Sequence, residues 1–220
     1  VDMLIKHNQF QILITECTYG NRVHPNIQTV DDDLAIVVNE VCKKGGKLII
    51  PAFALERAQE VVYHLNSISK KKLIPEIPIF VDSPLAGNLT EVFRGHPECF
   101  DKSVFNEFIE KGDNPFGFGK LKYVRNVEES KSLNEKKGPM VIISASGMCE
   151  HGRILHHLKN NIEDSRNTVL IVGYQAAETL GRKLVDGEKQ VNIFGDPYHV
   201  KASIYVMDAF SGHADRSDLL

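Results

Sequence analysis

Two titratable side chains far apart in the chain have the types and neighbours that proton transfer requires. Glu16 follows the apolar run "ILIT" directly. A carboxylate at a strand end sits at the rim of a site, where a cation or histidine fixes its ionisation. His213 stands in "DAFSGHADRSDLL", residues 208–220, between Ser211-Gly212 and Ala214-Asp215. Small neighbours let a substrate come close, and imidazole is the side chain suited to donating a proton near neutral pH. Either Asp215 or Glu16 could orient its second nitrogen. His24, eight residues after Glu16, could approach the same rim. The plainer alternatives are a surface acid, a loop histidine, and an Asp215 or Ser211 that merely caps the helix beginning at the C-terminal end.

A second group of residues suits anions. Ser144, Ser146 and Gly147 form a turn between a strand and a helix, and helix N-termini present free N–H groups to phosphate. Arg153 and His157 follow, four apart and on one helical face. Arg57, early in the helix after "PAFA", offers a planar fork for oxyanions, or else pairs with Glu56 or Glu60. The chain has no HxHxDH or HExxH, and "HH" at 156–157 would point in two directions, so it carries no convincing metal centre of its own. No G-x-S-x-G elbow supports a nucleophilic serine.

The elements that must position these groups alternate β-branched runs with amphipathic stretches. Strands are expected at 11–15, 47–51, 77–82, 121–124, 139–145 and 167–174, and in "QVNIF" and "VKASIYVMD". Helices are expected at 30–43, 54–68, 127–135, 151–162 and 177–185, and after Ser83-Pro84, a capping pair. "GG" at 45–46 ends the first helix. Residues 97–120 break the regularity with Gly, Pro and Phe. The expected fold is α/β: a mostly parallel sheet with helices on both faces. Ligands in such sheets lie beyond the carboxyl ends of the strands. That places "TECTYGNRVH", "PAFALER", "DSPLAG", "SASGMCEHGR" and "GYQAAETLG" around one cleft.

Bulk properties narrow the function classes. The 220 residues carry a net charge of −3, so no global positive field advertises nucleic acid, and any such contact must be local. No apolar run approaches the ~18 residues of a membrane span, and no signal peptide precedes the first strand. The four cysteines, Cys17, Cys42, Cys99 and Cys149, are widely spaced without a CxxC pair, which suits a reduced, cytoplasmic protein.

Six blocks taken together carry a resemblance. "LITECTYGNRVH", "GGKLIIPAFALERAQEVV", "IPIFVDSPLA", "VIISASGMCEHGRILHHLKNNI", "VLIVGYQAAETLGRKL" and "FSGHADRSDLL" resemble, in order, the β-CASP group of metallo-β-lactamase-fold nucleases. That group includes ribonuclease J and the endonuclease of pre-mRNA cleavage and polyadenylation. The resemblance implies a zinc-dependent RNA phosphodiesterase with two zinc ions, whose β-CASP domain closes over the active site as a lid. It matches Glu16 to the family's acidic motif and Ser211-Gly212-His213 to its "S-A-H" motif, so that Glu16 and His213 are catalytic. For an RNA nuclease, Arg57, Ser144, Ser146, Arg153, His157, Tyr174 and Ser211 are the residues expected to hold RNA.

The family's zinc-ligand motifs have no counterpart here. The expectation is therefore a lid domain with short flanks: residues 1–28 ending one metallo-β-lactamase segment, 29–195 the β-CASP domain, and 196–220 starting the returning segment. The rest of the metallo-β-lactamase domain would be the chain's partner, with RNA as substrate and a homodimer left open. The chain alone would bind no zinc and cut no RNA. The alternatives are a non-catalytic RNA-binding module and a self-contained α/β phosphate-ester hydrolase.

Overall fold

The computed structural model describes residues 14–23, 29–102, 104–106, 112 and 114–220. His24 and residues 11–13 of the first expected strand lie outside the described residues, and Ile14 and Thr15 form no strand.

Six parallel strands make one sheet: β1 (Lys47–Pro51), β2 (Ile79–Val81), β3 (Leu121–Tyr123), β4 (Met140–Ser144), β5 (Thr168–Ile171) and β8 (Ser203–Val206). Their spatial order is β3-β2-β4-β1-β5-β8. The central strands β1 and β4 are buried along their whole length, pairing Ile49 with Ile142 and Ile50 with Ile143. A strand covered on both faces has no polar side to show, so their near-continuous apolar runs were readable as parallel strands.

Helices α1 (Val30–Lys44), α2 (Arg57–Lys70) and α3 (Pro84–Gly95) pack on one face, against Leu48, Ile50, Val81 and Ile143. The spacing of α1 decides its orientation: Leu34, Val37, Val38 and Val41 all point to the sheet. Burying each contributes about 1.5–3 kcal/mol. Gly45, at φ 65°, ends this helix in the left-handed cap expected of it. On the other face lie α4 (Val127–Glu135), α5 (Arg153–Asn161) and α6 (Leu180–Val185). Ile49 and Val169 meet Ile154, Leu158 and Leu184 there, and Phe80 and Ile142 meet Leu133. Ser83 caps α3 as expected, its hydroxyl accepting from the Ala86 amide.

The helix expected at 177–185 begins only at Leu180, and two further expectations needed adjustment. The helix expected from residue 54 begins at Arg57, because Glu56 takes a positive φ of 67° and breaks the helical path. Asp196–His199 forms an unexpected strand β7, antiparallel to β6 (Gln190–Ile193). Its turn residues, Phe194 and Gly195, both have positive φ, as a two-residue hairpin turn demands.

The connections create the crevice. Leaving β1, the chain turns to the α2 face; leaving β4 and β5, which flank β1, it turns to the opposite face. The loops therefore splay apart at the carboxyl end of β1, where ligands bind in sheets of this kind.

Candidate active site

The structure brings Glu16 and His213 together. Residues 14–23 run beside the segment after β8. Tyr19 and Asp215 form a parallel bridge, Arg216 N donates to Arg22 O, and the Arg22 guanidinium pairs with Asp208 at 3.0 Å. His213 Nδ1 then lies 3.4 Å from Glu16 Oε2, with the two side chains 48% and 41% exposed. Glu16 is held by amides: Thr18 N donates to Oε2 and Ala214 N to Oε1, each at 2.8 Å. Asp215 has a different task. It caps the last helix, α7 (Arg216–Leu219), accepting from the Ser217 and Asp218 amides. Of the two acids able to orient His213, Glu16 is the one placed to do so.

The Thr18 amide and then its hydroxyl, followed by the Ala214 amide and the His213 charge, hold the Glu16 carboxyl at about 2 against an ordinary 4.5. A depressed folded-state pKa means the carboxylate's contribution is complete above 4.5 and is lost as pH falls towards 2. The Thr18 and Ala214 amide resonances are expected to titrate with a midpoint near 2. A midpoint near 4.5 would show that these contacts are not made in solution.

His213 faces a groove of about 350 Å³ lined by Phe53, Leu55, Glu56, Arg57, Met148, Gly173, Tyr174, Ser211 and Gly212. Tyr19 and Tyr174 flank the imidazole, with ring centroids 6.2 and 6.4 Å away. Tyr19 is fully buried and fixes the wall, and Ser211 Oγ accepts from His213 N. Loops after β1, β4, β5 and β8 thus contribute, as the strand-end rule implied. Arg57 reaches the rim, where its guanidinium lies near Gly212, but it is also paired with Glu60.

The structure places four of the residues expected to contact phosphate beneath the groove. Ser144 is buried at the end of β4, its hydroxyl donating to the Asp82 carbonyl at 2.9 Å. Ser146 is buried too, and its oxygen accepts from the Glu150 and His151 amides. No helix starts at this turn. The loop continues to Gly152 and α5 begins at Arg153, so no helix N-terminus opens at Ser144 or Ser146. Arg153 and His157 do share a helical face, but it points inward. Arg153 Nη1 donates to Asp82 Oδ1 at 2.6 Å, and its other contacts are the Val124 and Arg125 carbonyls. His157, wholly buried, lies between Asp82 Oδ2 at 2.6 Å and Asn134 Oδ1 at 2.9 Å. Ser130 Oγ also donates to Asp82. A buried carboxylate needs such partners, so these residues form the scaffold under the groove instead of its surface.

This arrangement was compared with known proteins. A model of the Beta-Casp domain matches residues 58–184, more than half of the chain. The chain belongs to the Beta-Casp family. Residues 197–220, which carry Ser211 and His213, match a model described as a Zn-dependent metallo-hydrolase RNA specificity domain. Among curated relatives, "Ribonuclease TTHA0252" of Thermus thermophilus is 40% identical over 95% of this chain and 48% of its own length. "Transcription termination factor FttA" of Methanosarcina mazei is 34% identical over 98% of the chain and 35% of its own. An "RNase J-like protein" of Methanocaldococcus jannaschii is 32% identical over 97% and 48%. This Beta-Casp chain thus spans from a third to about half of the relatives it matches.

Several groove residues of this Beta-Casp chain escaped the sequence reading. Phe53 is 45% exposed and lies against the β4–α5 loop, where a Cβ on Gly147 would fall 2.9 Å from its ring. Its place in "PAFALER", at a strand end, was the available signal. Tyr19 and Met148 shared that signal, lying in "TECTYGNRVH" and "SASGMCEHGR", but a tyrosine and a methionine there suggest packing. All four cysteines are free thiols; Cys149 is buried, its thiol pushed up by desolvation, and Cys17 and Cys99 are exposed. Among the described residues, no group of three His, Cys, Asp or Glu could hold a metal, and no helix is long and apolar enough to cross a membrane.

Proposed function

We propose that the full-length protein is a zinc-dependent ribonuclease, acting in the cytoplasm, in which this chain supplies the RNA-binding lid and half of the reaction centre. The observation that carries this reading is the meeting of Glu16 and His213 at the rim of a groove. Support comes from the matched domain descriptions and from relatives whose names include ribonuclease and transcription termination factor. We take 29–195 as the lid, and 1–28 and 196–220 as flanks belonging to a metallo-β-lactamase domain that completes the site.

The described residues do not fit a zinc centre. Both Glu16 oxygens are committed to backbone amides, and His213 has no further His, Cys or Asp close enough to build a ligand set among the described residues. The two zinc ions of the proposal would be held outside this chain, so the chain's own chemistry is protonic. In hydrolysis, water adds to phosphorus, the P–O bond to the leaving strand breaks, and that oxygen takes up a proton. His213 is placed to give it, while Glu16 fixes the ring through Nδ1 and leaves Nε2 to carry the proton. Arg57, Tyr174 and Ser211 line the path of the strand; Ser144, Ser146, Arg153 and His157 hold the loops that shape it.

The test is RNA cleavage by the full-length protein with and without a chelator, beside the 220-residue chain with added zinc. Cleavage that chelation abolishes is expected of the former, and no cleavage of the latter. Zinc-dependent cleavage by the chain alone would overturn the proposal.

A further inference from the structure

Beside the His213 groove lies a second cavity, of about 470 Å³, that the proton-transfer pair does not line. The two share one rim, formed by Glu56, Arg57, Ser211 and Gly212. Its size is that of a small-ligand pocket. Its walls are aromatic: Tyr63, Phe93, Phe100 and Phe116 line it, with Phe116 edge-on to both other phenylalanines at 6.1 Å.

Its polar lining mixes donors, from Arg57, Tyr63, His64 and Ser211, with acceptors, and His64 is already paired with Asp31. Gln59 lines the cavity and is 2% exposed. Its Nε2 donates to the Ala54 and Ala86 carbonyls and to Thr90 Oγ1, which itself donates to Ala86 O. Those acceptors fix the amide orientation, and they leave Oε1 buried with no hydrogen-bond partner. An orphaned buried acceptor is costly and marks a place where a donor belongs. Glu56, Glu60 and Asp101 add carboxylates, and the cation at the rim, Arg57, is already paired with Glu60. The aromatic walls suit a flat apolar group, and the unused Gln59 acceptor suits an N–H donor on its edge.

We infer that this cavity receives an RNA base next to the scissile phosphate, and that it selects a purine bearing an exocyclic amine. The inference rests on the ribonuclease reading, because the shared rim joins the cavity to the His213 groove. Aromatic walls supply stacking, which is indifferent to base identity, and the Gln59 acceptor supplies the discrimination.

The experiment uses the full-length protein and short RNAs with one position at a time changed to adenosine, purine riboside without the amine, or an abasic sugar. At one position flanking the cut, the abasic sugar is expected to lower kcat/KM about tenfold or more, and purine riboside is expected to fall between it and adenosine. Val104→Trp, which fills the cavity, is expected to bring the adenosine-to-abasic ratio towards one. Phe100→Ala, which removes a wall, serves as the second variant should Val104→Trp not fold. A ratio of one at every position in the unsubstituted protein overturns the cavity assignment while leaving the ribonuclease reading intact. Failure to bind or cleave any RNA overturns both.

Discussion

His213→Ala in the full-length protein is expected to lower kcat for RNA cleavage by roughly 10²-fold or more while KM changes little. The size follows from the role: a positioned proton donor typically contributes 10²–10⁴-fold, and its loss falls on the chemical step. The structure makes the variant a clean one. His213 is half exposed and its ring is bounded by Tyr19 and Tyr174, so truncation removes no core side chain. The Ala214 and Thr18 amides keep Glu16 in place without the imidazole. A loss confined to KM or RNA affinity would turn the site into a binding surface and favour a non-catalytic RNA-binding module.

Asp82→Ala is expected to destabilise the fold by about 3–5 kcal/mol, the cost of stripping a buried ion network of its carboxylate. Asp82 is wholly buried and receives Arg153, His157 and Ser130 at once. Burial alone would push its carboxyl up, but the hydrogen bonds from His157, Ser130 and Arg153 together hold it below 3.8. That network is therefore at full strength above the ordinary carboxylate range and weakens as pH falls through the lowered value. Without Asp82, the Arg153 charge keeps only two carbonyls as partners. Chemical denaturation measures the loss. A change below 1 kcal/mol would mean the network contributes packing and little else.

The parallel sheet was legible because its strands are apolar without alternation, and α1 because its valines recur at helical spacing. The site was legible only in part. Glu16 and His213 announce themselves by standing at element ends among small residues, but their meeting depends on the Tyr19–Asp215 bridge, which no local pattern encodes. Arg153 and His157 misled for the converse reason. Spacing of four reveals a shared face but not whether that face looks outward, and the buried Asp82 that decides it lies on another connection, directly after β2. Ser144 and Ser146 misled because the turn holds both hydroxyls inward, on the Asp82 carbonyl and on the Glu150 and His151 amides. Strand β7 was hidden by Pro197, a residue that strands avoid except at edges, where this one pairs with Asn192.

The central claim is that Glu16 and His213 form one proton-transferring pair, and leaving-group chemistry reaches it directly. Sulfur in place of the leaving oxygen departs without needing a proton. The account predicts that His213→Ala, crippled on ordinary RNA, cleaves the bridging phosphorothiolate at close to the rate of the unsubstituted protein. An equal loss on both substrates would contradict it.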